Sequence, residues 1–209
     1  MKIIFWGIFT IPALAIIFIL TGCTKSHRVL INPSIPIHSS TIGNGLTVAV
    51  KVVDTRSSNV ISKWQGEFKV QKFTVTSQGD LKDIFTTRVR QGLSMLGFSP
   101  KNFNLKPDRS LEIEILNIKS RYQQNSPKIN IQVKADIKTT CSNKGKSVSK
   151  KFSSRKNRSG ISPASFPNES LLNDNLSEIM GKIFTDPSVI SCLDHWDIYS
   201  RQPKYCINY

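Results

Sequence analysis

The sequence predicts an α+β domain: a mostly antiparallel sheet of about five strands with two helices packed on one face, preceded by a cleaved signal and a flexible tether. Three observations predict it. Several segments alternate apolar and polar residues with the period of a half-buried strand. Two segments repeat apolar residues at the spacing of one helix face. Strands with one apolar face and helices with one apolar stripe bury each other in two layers.

The chain opens with Lys2 and an apolar run from Ile3 to Leu20, followed by Leu20-Thr21-Gly22-Cys23. This is the layout of an export signal, and its last four residues have the form of a bacterial lipobox. The competing reading is an uncleaved membrane helix, which needs about 18 to 20 apolar residues. Pro12 interrupts the run, and an anchor helix has no reason to end in Leu-Thr-Gly-Cys. Residues 1–22 are therefore expected to be removed and the thiol of Cys23 to carry a thioether-linked diacylglycerol. Two or more acyl chains hold firmly where one holds marginally, at about 0.8 kcal/mol per buried methylene. Thr24 in place of an aspartate after the cysteine is similar to lipoproteins sorted to the outer membrane, which implies a domain facing the periplasm.

Residues 23–42 read as a lipidated tether in which Pro33 and Pro36 forbid regular helix. Val29-Leu30-Ile31, Ile35 and Ile37 are candidate extended segments on the domain edge. The domain spans 43–190. Val48, Val50 and Val52 mark a strand over Leu46–Asp54, a polar loop follows to Asn59, and alternation resumes over Phe68–Thr76. Leu81, Ile84, Phe85, Val89, Leu93 and Leu96 form a helical stripe, with Asp80 as N-cap and Gly97 as the stop. Leu111–Ile118 and Ile129–Ile137 alternate on either side of Asn125-Ser126-Pro127, which predicts a long antiparallel hairpin. A turn at Asn143-Lys144-Gly145-Lys146 leads to a strand over Val148–Ser154. The second helix runs from Asn168 to Phe184, and Asp186-Pro187 ends it. Residues 191–209 form an aromatic, cysteine-containing tail.

Lys and Arg number 29 against 14 Asp and Glu, a net charge of +15. Such a surface seeks anions. Export removes the opportunity to meet nucleic acid, and no nucleic-acid-binding motif occurs. Lipopolysaccharide phosphates, peptidoglycan carboxylates, anionic head groups and acidic proteins remain as counterparts. Lys138, Lys144, Lys146, Lys150, Lys151, Arg155, Lys156 and Arg158 fall in a segment with no carboxylate between Asp136 and Glu169. They are the candidate anion-binding residues; the alternative is a solvated edge that discourages aggregation.

With Cys23 acylated, Cys141, Cys192 and Cys206 remain in an oxidising compartment. Pairing of Cys192 with Cys206 within the tail is the simplest disulfide, leaving Cys141 free in or beside a strand. Cys192, Asp194 and His195 supply too few ligands at the wrong spacing for a zinc site, so no metal is expected. His27 and His38 lie in the tether and His195 in the tail, away from regular elements that would hold a base. Asp54 beside Arg56 reads as a charged turn, and Glu112 with Glu114 share a solvent face. Neither a phosphate cradle nor a nucleophile elbow is present; no enzyme activity and no cofactor are expected.

The order of four stretches resembles the YajG family of bacterial lipoproteins. They are Val29-Leu30-Ile31-Asn32-Pro33-Ser34-Ile35-Pro36, Leu46 to Lys63 with Asp54 and Arg56, Asp80 to Phe98, and Lys134-Ala135-Asp136-Ile137. The resemblance implies an outer-membrane lipoprotein of unassigned biochemical role and carries no catalytic or ligand-binding residue with it. The expected function is a non-catalytic structural or accessory subunit of an envelope protein assembly, a secretion apparatus being one candidate. The alternative is a periplasmic binding module for anionic glycolipid or peptidoglycan, working through the basic hairpin.

Overall fold

Period-two alternation is longest over residues 109–160, and these residues form the three longest strands. β6 (Arg109–Asn125), β7 (Lys128–Asn143) and β8 (Lys146–Gly160) run antiparallel to one another. The turn between β7 and β8 puts Lys144 at φ 47° and Gly145 at φ 82°. Two left-handed residues in succession match the right-handed twist of the flanking strands. In β6 the register shifts between Ile115 and Asn117. This bulge inserts one residue, so Ile118 returns to the face that buries Leu111, Ile113 and Ile115.

The computed structural model describes residues 24–65, 72–103, 107–125, 128–160 and 168–194. The signal segment, Cys23, and residues 195–209 with Cys206 lie outside the described residues. The remaining strands are β1 (Thr24–Val29), β2 (Thr47–Asp54), β3 (Val60–Gln65), β4 (Lys72–Ser77) and β5 (Ser99–Asn102). The helices are α1 (Leu81–Met95), α2 (Asn168–Thr185) and α3 (Pro187–Asp194).

The fold is α+β, with a five-stranded sheet of order β5-β2-β6-β7-β8 and a three-stranded sheet of order β1-β4-β3. Both sheets are mixed: β2 is parallel to β5 and β6, and β1 is parallel to β4. Parallel neighbours need a long crossover, and β3, β4 and α1 supply it between β2 and β5. β3 and β5 were not expected from the sequence. β5 reads Ser-Pro-Lys-Asn, without alternation, and is held at the sheet edge by its pairing to β2.

α1 buries Leu81, Phe85, Val89 and Leu93, and α2 buries Leu172, Leu176, Ile179, Met180 and Ile183, over the apolar face of the larger sheet. The helices approach closely where Gly92 faces Phe184: a Cβ at Gly92 would lie 2.4 Å from the Phe184 ring. Among the described residues, no helix is long and apolar enough to cross a membrane.

Much of the segment read as tether is bound to the domain. β1 pairs along β4, and Val29 and Ile31 are buried. Beyond it the backbone N–H groups of Leu30, Asn32 and Ser34 donate to side chains of Glu169, Asn173 and Ser177 at 3.0, 2.7 and 2.8 Å. Two residues of extended chain advance about 6.6 Å and four helical residues about 6.0 Å. Every second backbone N–H therefore meets every fourth side chain of α2.

The disulfide differs from the expected one. Cys141 of β7 and Cys192 of α3 are bonded, with Cα atoms 6.3 Å apart, so Cys192 is not paired with Cys206 and Cys141 is not free. The reason is tertiary. The domain continues past residue 190 as α3, which buries Val189, Cys192 and Leu193 against the core and brings Cys192 onto β7. A link spanning 51 residues of sequence stabilises by roughly 4 kcal/mol on the loop-entropy model.

Candidate functional site

Because strand side chains alternate between faces, β8 divides the predicted basic run in two. Lys150, Lys156 and Arg158 share the helix side with buried Phe152 and Ser154. Each meets an acid there. Lys150 Nζ pairs with Asp186, Lys156 Nζ lies 3.4 Å from Glu178, and Arg158 lies 3.8 Å from Asp174. On the open side of the sheet, Lys138 Nζ is 2.7 Å from Glu114 and Lys151 Nζ 3.7 Å from Asp136. The segment lacks carboxylates in sequence, but its neighbours in space supply them. Lys144 and Lys146 stand exposed around the β7–β8 turn.

These carboxylates are held ionised. Burial pushes Asp186 up, but Lys150 and the backbone N–H groups of Val189 and Ser188 outweigh it and leave its pKa lowered. Asp186 thereby caps α3, with Pro187 at the first helical position. Burial likewise raises Asp136, while hydrogen bonds from Ser153, Lys134 and Asn117 more than offset it. Glu178 is lowered first by its hydrogen bond from Lys182. Asp54 accepts both Nε and Nη2 of Arg56, at 2.8 and 2.7 Å, closing a charged turn at the end of β2. Glu112 and Glu114, the other paired acids, are engaged by Lys51 and Lys138.

Arg155 is the member of the run that finds other cations. On the open face the register sets Lys119 of β6 opposite Lys134 of β7, and Lys134 opposite Arg155 of β8. Three cations thus stand in one row across three strands. Like charges directly opposite destabilise a sheet by about 0.2–1 kcal/mol per pair. Elsewhere on this face cations meet acids: Lys51 faces Glu112, Lys138 faces Glu114, and Lys151, which stands opposite Lys138, reaches Asp136. Arg121, opposite Gln132, extends the row. Together with Asn117 these residues line an open groove of about 330 Å³. Lys134 has one acid, Asp136, at 3.1 Å; no ion pair joins Lys119, Arg121 or Arg155 to another described residue.

The basic run pointed to Arg155 but not to Lys119, Arg121 or Lys134. The signal that finds them is hairpin symmetry. Lys119 and Lys134 are equidistant in sequence from the midpoint between Asn125 and Lys128, which pair, and Lys134 and Arg155 from the Lys144–Gly145 turn. Among the described residues, no cluster of His, Cys, Asp and Glu is grouped to hold a metal ion.

The outer strands of the five-stranded sheet contrast. β5 has four residues and contains Pro100, whereas β8 has 15. Among the described residues, β8 is paired only with β7. Its outer edge thus leaves backbone donors and acceptors without a neighbouring strand.

The family model described as an uncharacterized lipoprotein matches residues 33–194. No curated protein matches the chain. Among solved structures, the chain is similar to protein XCC0632 from Xanthomonas campestris, at 12% identity and TM-score 0.49, over 78% of this chain and 92% of that one. It is similar to a minor lipoprotein from Acinetobacter baumannii, at 11% identity and TM-score 0.37, over 66% of this chain and 90% of that one. Lipoprotein GNA1162 from Neisseria meningitidis gives 12% identity and TM-score 0.34, over 66% and 97%.

Proposed function

Since this chain belongs to the family of uncharacterized lipoproteins, we propose that it is a non-catalytic accessory subunit, lipid-anchored in the outer membrane, whose periplasmic domain docks on a larger envelope assembly. The order of its motifs is read as YajG-like, and a secretion apparatus is one candidate assembly. The observation that carries this reading is the outer edge of β8. An edge strand of this length is a template for an added strand unless it is blunted or covered. β5, short and interrupted by Pro100, is blunted. β8 offers a backbone edge 15 residues long for strand addition.

Two further features support a docking role. β1 begins at Thr24, the residue after Cys23, and the following chain is bound to α2. A lipid on Cys23 then holds the domain against the bilayer with little slack, at a fixed height for a partner. The carboxylates with lowered pKa values are engaged in ion pairs, hydrogen bonds and a helix cap, which are structural tasks.

The test is a mild-detergent pull-down from envelopes with a C-terminal tag, at low and high salt, with the captured proteins identified by mass spectrometry. A defined set of envelope proteins, retained at high salt through backbone pairing, is the expected result. Recovery of the lipoprotein alone at both salts rejects the reading.

A further inference from the structure

We propose that the row Lys119, Lys134 and Arg155, extended by Arg121, is a binding site for a phosphate monoester or pyrophosphate group. The site lies on the open face and is distinct from the docking edge of β8.

The argument starts from a local rule that the sheet breaks. Register places Lys119, Lys134 and Arg155 directly opposite one another, and like charges in such a row oppose folding. On the helix side of the same strand, Lys150, Lys156 and Arg158 each have an acid. Local conflicts of this kind mark functional sites, where stability is given up for binding. The groove they line, about 330 Å³, has room for one such group and presents cations and amides rather than apolar surface.

Asp136 does not spoil the site. It is only 5% exposed, and its oxygens are taken by Ser153, Asn117 and Lys134. It holds Lys134 Nζ at 3.1 Å, while an incoming anion meets the tips of Lys119, Arg121 and Arg155 and the remaining N–H donors of Lys134. A single carboxylate carries too little charge to satisfy this row. A tetrahedral dianion with several acceptor oxygens accepts from two lysines and from bidentate arginines together.

The probe is inorganic pyrophosphate, titrated by calorimetry into the full chain reconstituted in phosphatidylcholine vesicles. The variants are Lys119→Thr and Arg155→Thr, with Lys82→Ala, on the exposed side of α1, as the charge-matched control. Wild type and K82A are expected to bind alike, and each row variant about tenfold more weakly. Without ligand, both row variants are expected to unfold at a higher Tm than wild type, because the repulsion is relieved. A merely structural role predicts the opposite sign.

Two further vesicle compositions identify the source of the group. If phosphatidic acid suppresses pyrophosphate binding and phosphatidylglycerol at equal vesicle charge does not, the occupant is a phosphomonoester head group. If neither suppresses it, the occupant is soluble. Equal affinity in wild type and both row variants, no binding by wild type, or lower ligand-free Tm values in both row variants would overturn the proposal.

Discussion

Asp186 shows how much one residue does in this fold. It receives Lys150 from β8 and caps α3 through the N–H groups of Ser188 and Val189. Asp186→Ala removes cap and counter-ion together, and a loss of about 1–2 kcal/mol is expected for a cap of this kind. The urea midpoint of unfolding measures it. The pH dependence follows from the sign of the shift. Asp136 and Asp186 both have lowered pKa values in the folded state. Their contribution is full above the ordinary carboxylate pKa and is lost as pH falls through the lowered values. Thermal unfolding across that range should show falling stability toward acid; a flat profile would mean that neither pair contributes. At this scale the sequence reveals Asp80, which accepts from Lys82 N at 2.8 Å, and Gly97, whose φ of 82° ends α1. Caps are local and visible. The partner of Lys150 is 36 residues away and is not.

Elements with a strong period form where the sequence predicts them. α1 and α2 match their stripes, and β6 and β7 pair antiparallel as predicted, up to Asn125 opposite Lys128. The misses have physical causes. β3 follows directly on a polar loop and is held by its ladder to β4. β5 has no alternation, and the short α3 depends on its cap and its packing. Helix contacts are equally hidden: Gly92 reads as an unremarkable residue within the α1 stripe until Phe184 is placed against it. Gly92→Ala gains intrinsic helix propensity of about 1 kcal/mol. Its Cβ nevertheless meets a packed ring at 2.4 Å, and overpacking costs about 1–3 kcal/mol. Net destabilisation is expected from denaturant unfolding, and a more stable variant would show that the α1–α2 contact yields easily.

For the molecule as a whole, the proposed lipid anchor at Cys23 acts together with the bound strap, which the structure shows running along β4 and α2. Cys23→Ala is expected to leave the precursor uncleaved at this position and to shift it out of the outer-membrane fraction. Gel mobility, acyl labelling and membrane fractionation report this directly. Normal processing and unchanged fractionation would refute the anchor.

The sequence by itself determined the α+β class, the two long helices, the hairpin strands and the basic balance, because each depends on neighbouring residues or on a period. Tertiary structure alone decided the mixed pairing around β2, the second sheet, the Cys141–Cys192 bond and the charge pattern. These depend on which distant segments meet. In sequence, eight cations ran without a carboxylate; register and packing gave five of them acids and set Arg155 beside Lys134 and Lys119. Charge energies fall with distance in space rather than along the chain, so only the folded sheet distinguishes a neutralised edge from a cationic groove.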